Sequence, residues 1–260
     1  MVRMILAHPR SRSNLLGSAY PGYVNELFTP GWIQTTTFFK ENRDLLKYGS
    51  GPGDQFAAAY AKHLRQTMHP NMDFTFKVHY CGIKDWPEAQ ELIEYWNPTE
   101  IIGCHRSNKK ASVMSTLLAD KHGYTSFHDL PQTPFRVTKE QFDYAFERCV
   151  IDWYAGLEVY TPTEWYEYDT IPAHICSRFN WDDARYRAFL AECRYKDQRS
   201  DQRLNKILNL DQVEEWWQTS IGRTAPAFGG AHRAPYVVPW PASRISFSPT
   251  GVTSRCRTSA

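Results

Sequence analysis

The 260-residue chain lacks any stretch approaching the roughly 20 apolar residues that a membrane span needs. Its opening run Met4-Ile5-Leu6-Ala7 is too short for the apolar core of a signal peptide, and Pro9 ends it. A soluble protein of the cytoplasm is the expectation, a host's cytoplasm if the chain is viral. Net charge is also scarce. Thirty Lys and Arg stand against 28 Asp and Glu, for +2. That balance excludes a strongly basic nucleic-acid wrapper and an acidic tail protein, so neither a nucleic-acid nor a membrane partner is expected. A small anionic ligand needs only a few local cations and stays open. The six cysteines, at 81, 104, 149, 176, 193 and 256, share no short repeated spacing. Neither a disulfide scaffold nor a zinc ribbon is suggested, and reduced thiols are expected. The Gly-Lys-Ser/Thr ending of an ATP-type phosphate loop is missing, as is the Gly-x-Ser-x-Gly elbow of a serine hydrolase. No acidic residue follows Glu215.

What is present is ordinary globular composition, 42% hydrophobic and 22% charged. A chain of this length buries about 70–75% of its unfolded surface and needs no metal or disulfide staple. Strand-like segments at 2–7, 74–80, 100–104 and 164–168 alternate with helix-like segments at 55–68, 87–96, 109–121, 139–154, 182–194 and 210–219. A short helix is expected to begin near Leu15. The pattern predicts an α/β fold with a mainly parallel β-sheet flanked by helices. Turn signals crowd 29–54. Residues 1–230 read as one α/β domain, and 231–260, rich in Pro, Gly, Ser and Thr, as a loop-like tail.

Ligands of such sheets bind beyond the carboxyl ends of the strands. Three polar clusters fall there. His8-Pro9-Arg10-Ser11-Arg12-Ser13-Asn14 follows the first strand, where amide N–H groups and a helix N-terminus favour phosphate, with Arg10, Ser11 and Ser13 as further donors. The alternative is a solvated basic turn. Lys77-Val78-His79 puts Lys77 and His79 on one strand face, a pairing suited to proton transfer and charge stabilisation or simply to a packed sheet. Cys104-His105-Arg106-Ser107-Asn108, with Ser112 and Ser115 beyond, is a second arginine–hydroxyl unit, or a helix cap built on Ser107 or Asn108. A zinc site from His79, Cys81, Cys104 and His105 fails on spacing, because Cys104 and His105 point to opposite faces; no metal is expected.

Taken in order, these clusters resemble the sulfotransferase family that uses 3′-phosphoadenosine-5′-phosphosulfate (PAPS). Pro9-Arg10-Ser11-Arg12-Ser13 looks like its Pro-Lys/Arg-Ser-Gly-Ser/Thr loop, with Arg12 in place of glycine. Lys77-Val78-His79 looks like its Lys-x-His element. Arg106 with Ser115, or alternatively Ser112, is similar to its arginine–serine pair for the 3′-phosphate. Asn25-Glu26-Leu27-Phe28-Thr29-Pro30 and Arg106-Ser107-Asn108-Lys109 resemble segments of bacterial and viral members, and Tyr166-Glu167-Tyr168 resembles a Tyr-Glu-Asp segment. Gly222-Arg223, or the residues up to Gly230, stand where a late Arg-Lys-Gly loop is expected. The resemblance spans about 2–225 and implies a P-loop-like architecture.

It further implies a sulfuryl transfer from PAPS to a hydroxyl or amine of a small-molecule or saccharide acceptor. Arg10 would steady the leaving group. Ser11, Arg12, Ser13 and Asn14 would hold the 5′-phosphate, and Arg223 would reach the nucleotide. His79 or Glu26 would act as base, with Lys77 beside the transferring group. A non-catalytic nucleotide-binding protein of the same fold and a P-loop small-molecule kinase are the alternatives.

Overall fold

A computed structural model describes residues 1–29, 33–42, 55–122, 134–193, 204 and 206–228. Four strands, β1 (Val2–Ala7), β2 (Phe74–Val78), β3 (Glu100–His105) and β4 (Glu164–Glu167), form one sheet in the order β2-β1-β3-β4. Every pairing is parallel. The helices are α1 (Ser13–Ser18), α2 (Thr37–Glu41), α3 (Gln55–Thr67), α4 (Pro87–Trp96), α5 (Lys109–His122), α6 (Lys139–Phe146), α7 (Asp152–Val159), α8 (Ile171–Phe179), α9 (Asp183–Glu192) and α10 (Leu210–Phe228). The predicted α/β class with a parallel sheet flanked by helices is what the structure has. None of the helices among the described residues is long and apolar enough to cross a membrane.

Strand alternation divides the core. Met4, Phe74, Phe76 and Val78 pack with Tyr60 of α3 and Leu92, Ile93 and Trp96 of α4. Ile5, Ala7, Ile102 and Cys104 face the other way, toward α1, α8 and α9. Ile5 pairs with Lys77, so Lys77 lies level with that second face, and it is buried like the rest of β2. A third cluster joins α5, α6 and α10 through Val113, Phe142, Phe146 and Val213. Pro87 opens α4, where its missing N–H costs nothing and its fixed φ suits the first turn. Thr138 and Gln141 close a capping box on α6.

The sheet's outer edge at β2 is not bare. The Val24 N–H donates to the Thr75 carbonyl at 2.9 Å, Thr75 N–H to Gly22 at 3.2 Å and Lys77 N–H to Asn25 at 3.0 Å. Residues 22–25 therefore lie along β2 as a short parallel ribbon. Gly22 makes this possible: its φ is +63°, and a Cβ there would stand 2.6 Å from the Asp73 carbonyl oxygen.

Several expectations are corrected. The second strand ends at Val78, because Tyr80–Gly82 turns into a 3₁₀ helix closed by Gly82 N–H on the His79 carbonyl. The helix expected over 139–154 is interrupted by the π-helical turn Glu147–Ile151 before α7 continues it. α8, to which no sequence pattern was assigned, begins with Pro172 in its first turn. Gly222 and Arg223 do not form a late loop: both lie within α10, which runs nine residues past its expected end at 219. The expected tail, 231–260, and most of the turn-rich stretch 29–54 lie outside the described residues.

Candidate functional site

The chain leaves β1 through a tight turn. The His8 N–H still donates to the Cys104 carbonyl, at 2.8 Å, so the turn starts against β3. Arg10 and Arg12 then both take φ of 61°. A left-handed non-glycine residue costs roughly 1–2 kcal/mol. Position 12 is where the resembled loop carries glycine, and the backbone demand explains why glycine suits it. Ser11 is buried, and its hydroxyl donates to Cys104 Sγ at 3.3 Å while that thiol donates back to the Ser11 carbonyl at 3.3 Å. Ser13 is buried at the start of α1, whose six residues carry only a small dipole. Arg10 Nε donates to Ser115 Oγ at 3.0 Å, tying the turn to α5.

His8 closes the floor of this turn. Its Nε2–H donates to the Cys149 carbonyl of the π-helical turn at 2.6 Å, and Ser112 Oγ–H donates to Nδ1 at 3.3 Å. Burial, then the charge of Lys109, hold its pKa well below the ordinary histidine value. The ring is neutral and structural. Ser112 is buried and spent on His8, whereas Ser115 accepts from Arg10.

On the β2 side, Lys77 Nζ donates to Asn14 Oδ1 of α1 and to Glu26 Oε1, both in close contact. Glu26 arrives there because residues 22–25 ride along β2. Tyr23 Oη donates to Asn14 Oδ1 at 3.3 Å and Asn25 Oδ1 at 3.1 Å, closing the same network. The Lys77 side chain is 2% exposed and that of Glu26 25%. Burial pushes the Glu26 carboxyl up, but the Lys77 ammonium and then His79 outweigh it and hold the group well below the usual carboxylate range. Burial draws the Lys77 ammonium below its ordinary pKa, against the opposing pull of Glu26. His79 Nδ1–H donates to the Ala7 carbonyl at 2.8 Å, and Nε2 lies 3.6 Å from Glu26 Oε1. Burial draws the imidazole below its ordinary pKa against the opposing pull of Glu26. A neutral imidazole is a proton acceptor, and Glu26 stands where it would stabilise the imidazolium that results.

On the β3 side, Asn108 Oδ1 accepts the Ala111 N–H at 2.9 Å as cap of α5. Glu167, at the end of β4, accepts the Ser107 N–H at 2.9 Å and the Ser107 hydroxyl at 2.7 Å, with His105 Nδ1 3.2 Å away. Lys109 Nζ donates to the Arg106 carbonyl at 2.9 Å, and burial draws its pKa down to about 8. Arg106 Cζ lies 4.4 Å from the centre of the Tyr168 ring, and Arg12 Cζ lies 4.1 Å from the same ring.

The structure thus brings Asn14, Glu26, Lys77 and His79 into one network, and Arg10 together with Ser115. It links Arg12 to Arg106 through Tyr168. Arg223 sits on α10. The residues weighed for zinc are otherwise engaged, and among the described residues no three His, Cys, Asp or Glu side chains form a metal site. The Tyr23 and Asn25 contacts and the two-arginine contact of Tyr168 escaped the sequence. An aromatic one residue beyond a strand end was the available signal for Tyr168. No protein-family model matches the chain, and no curated protein matches it.

Proposed function

We propose that the chain is a divergent PAPS-dependent sulfotransferase of P-loop-like architecture. One observation carries the reading. Three clusters far apart in sequence meet at the carboxyl ends of β1, β2 and β3, around the point where the strand order switches from β2 to β3 on either side of β1. Two left-handed arginines in the first turn add support, since backbone strain of this kind concentrates at functional sites. Three guanidinium groups, of Arg10, Arg12 and Arg106, suit a ligand bearing several phosphate and sulfate oxygens.

Bound there, the donor would supply the sulfuryl group, its sulfur–oxygen bond to the 5′-phosphate breaking as the acceptor oxygen or nitrogen bonds to sulfur. His79 Nε2 takes the acceptor's proton. Glu26 stabilises the imidazolium so formed, and Lys77 with Asn14 keeps Glu26 ionised and in place. Glu26 is engaged by Lys77 and its pKa is lowered, which makes it the weaker candidate for base. Arg10 and Arg12 neutralise charge building on the departing 5′-phosphate, and Arg106 holds the 3′-phosphate. The acceptor is a hydroxyl or amine of a small molecule or saccharide.

A second reading, a nucleotide-binding protein without turnover, is favoured by the closure of Lys77 beneath Glu26 and Asn14, which keeps its ammonium from a ligand. Calorimetric titration with adenosine 3′,5′-diphosphate tests both; absence of binding refutes both. A screen of acceptors with labelled PAPS separates them, and a kinase reading would instead show Mg²⁺-dependent use of ATP.

A further inference from the structure

Tyr168 is the residue on which the β1 and β3 turns converge. Its backbone N–H donates to the His105 carbonyl at 2.8 Å, extending the β3–β4 ladder and fixing its place beside the β3 turn. Its carbonyl accepts from Arg12 Nη1 at 3.3 Å, which ties it to the β1 turn as well. Both guanidinium carbons lie over its ring, at 4.1 Å for Arg12 and 4.4 Å for Arg106. All three side chains are half-buried, where a cation–π contact is stronger than in open water. Stacking engages the face of a guanidinium, while its hydrogen bonds to phosphate run from the edge. Contact with the ring spends no N–H donor of either arginine, although the Tyr168 carbonyl engages Arg12 Nη1. It also offsets the repulsion between two like charges and removes side-chain freedom that anion binding would otherwise have to remove.

We propose that Tyr168 is a positioning residue that sets Arg12 and Arg106 together for a ligand with two separate anionic groups. This rests on the nucleotide-binding reading above and specifies it. The ligand bridges the two turns, so losing the ring costs a bis-phosphate more than a monophosphate.

The test compares wild type with Tyr168→Phe, Tyr168→Leu and Tyr168→pentafluorophenylalanine, the last keeping the ring's size while removing its negative face. Each is titrated calorimetrically with adenosine 3′,5′-diphosphate and with AMP. Tyr168→Phe should bind like wild type. The leucine and fluorinated variants should bind the diphosphate roughly tenfold more weakly, and AMP no more than about threefold more weakly. Unchanged diphosphate affinity in the fluorinated variant, a phenylalanine variant as weak as leucine, or equal losses for both nucleotides would each overturn the proposal. If wild type binds neither nucleotide, the sulfotransferase reading falls, and inorganic pyrophosphate decides Tyr168. The same order of variants sustains it; equal binding by all four proteins, or binding by none, overturns it.

Discussion

Replacing Glu26 by Gln should destabilise the protein more than replacing Lys77 by Met, although the two residues form one ion pair. The asymmetry follows from exposure. Lys77 is 2% exposed, so without Glu26 its ammonium is left with Asn14 and almost no water. Glu26 is 25% exposed, so without Lys77 its carboxylate can still be hydrated. Removing one partner of a buried pair typically costs about 3–5 kcal/mol. Lys77 can escape by losing its proton. At pH 7 that escape costs about 1.36 kcal/mol for each unit below a free-lysine pKa near 10.4, or about 4.6 kcal/mol, which caps the deficit. At pH 9 the cap falls to about 1.9 kcal/mol. The sign is set by proton binding. Between the depressed folded pKa of an orphaned Lys77 and its unfolded value, the unfolded chain binds more protons, so the variant gains stability as pH rises. Urea unfolding followed by tryptophan fluorescence should give Glu26→Gln a deficit of about 3–5 kcal/mol at pH 7 and no more than about 2 kcal/mol at pH 9. Lys77→Met should lose about 1–2 kcal/mol at pH 7. A Glu26→Gln deficit that stays constant or grows from pH 7 to 9, or one smaller than that of Lys77→Met, would refute the reasoning.

His79→Ala should lower kcat roughly 10²–10⁴-fold while leaving the Kd for adenosine 3′,5′-diphosphate nearly unchanged; a loss confined to Glu26→Gln would make Glu26 the base instead. Arg10→Ala should cripple binding of that nucleotide without unfolding the chain, as read by titration beside a thermal melt; unaltered affinity and turnover would remove Arg10 from the site. For Arg106→Ala, the diphosphate should lose about 1.5–3 kcal/mol of binding and AMP far less, whereas equal losses would show that Arg106 does not read the 3′-phosphate. Gly103→Ala should destabilise by about 1–3 kcal/mol, because a Cβ there would meet the Trp165 ring at 2.5 Å; an unchanged urea midpoint would count against that packing.

Local chemistry made much of the fold legible. β1, α4 and the start of α5 announce themselves through the apolar run Met4–Ala7, a proline at a helix start and an asparagine cap. The same signals misled where two meanings compete. Pro172 opens α8, a helix that the apolar periodicity did not single out. Gly222 reads as a loop residue, yet nothing lies within 4 Å of the Cβ it lacks and α10 passes through it. The π-helical turn has no sequence period of its own; its trace is the Cys149 carbonyl taken by His8, a contact between residues 141 positions apart. For the candidate site, strand-end position singled out Arg10, Lys77, His79 and Arg106 one by one. Their mutual geometry was hidden, because the contacts of Lys77 with Glu26 and Arg10 with Ser115 depend on sheet order and on a ribbon beside β2. Periodicity encodes neither.

The ribbon formed by residues 22–25 has a consequence for how the protein behaves in a crowded solution. An uncovered parallel edge is a template for another chain, and the ribbon occupies the amide and carbonyl groups of β2 that would otherwise recruit one. It also delivers Glu26 to Lys77. Self-association and site assembly therefore hang on the same four residues. A molecule in which the ribbon peels away loses its Glu26–Lys77 pair and gains a sticky margin in a single event. Exposing this edge and dismantling the Glu26–Lys77 pair are thus one structural event.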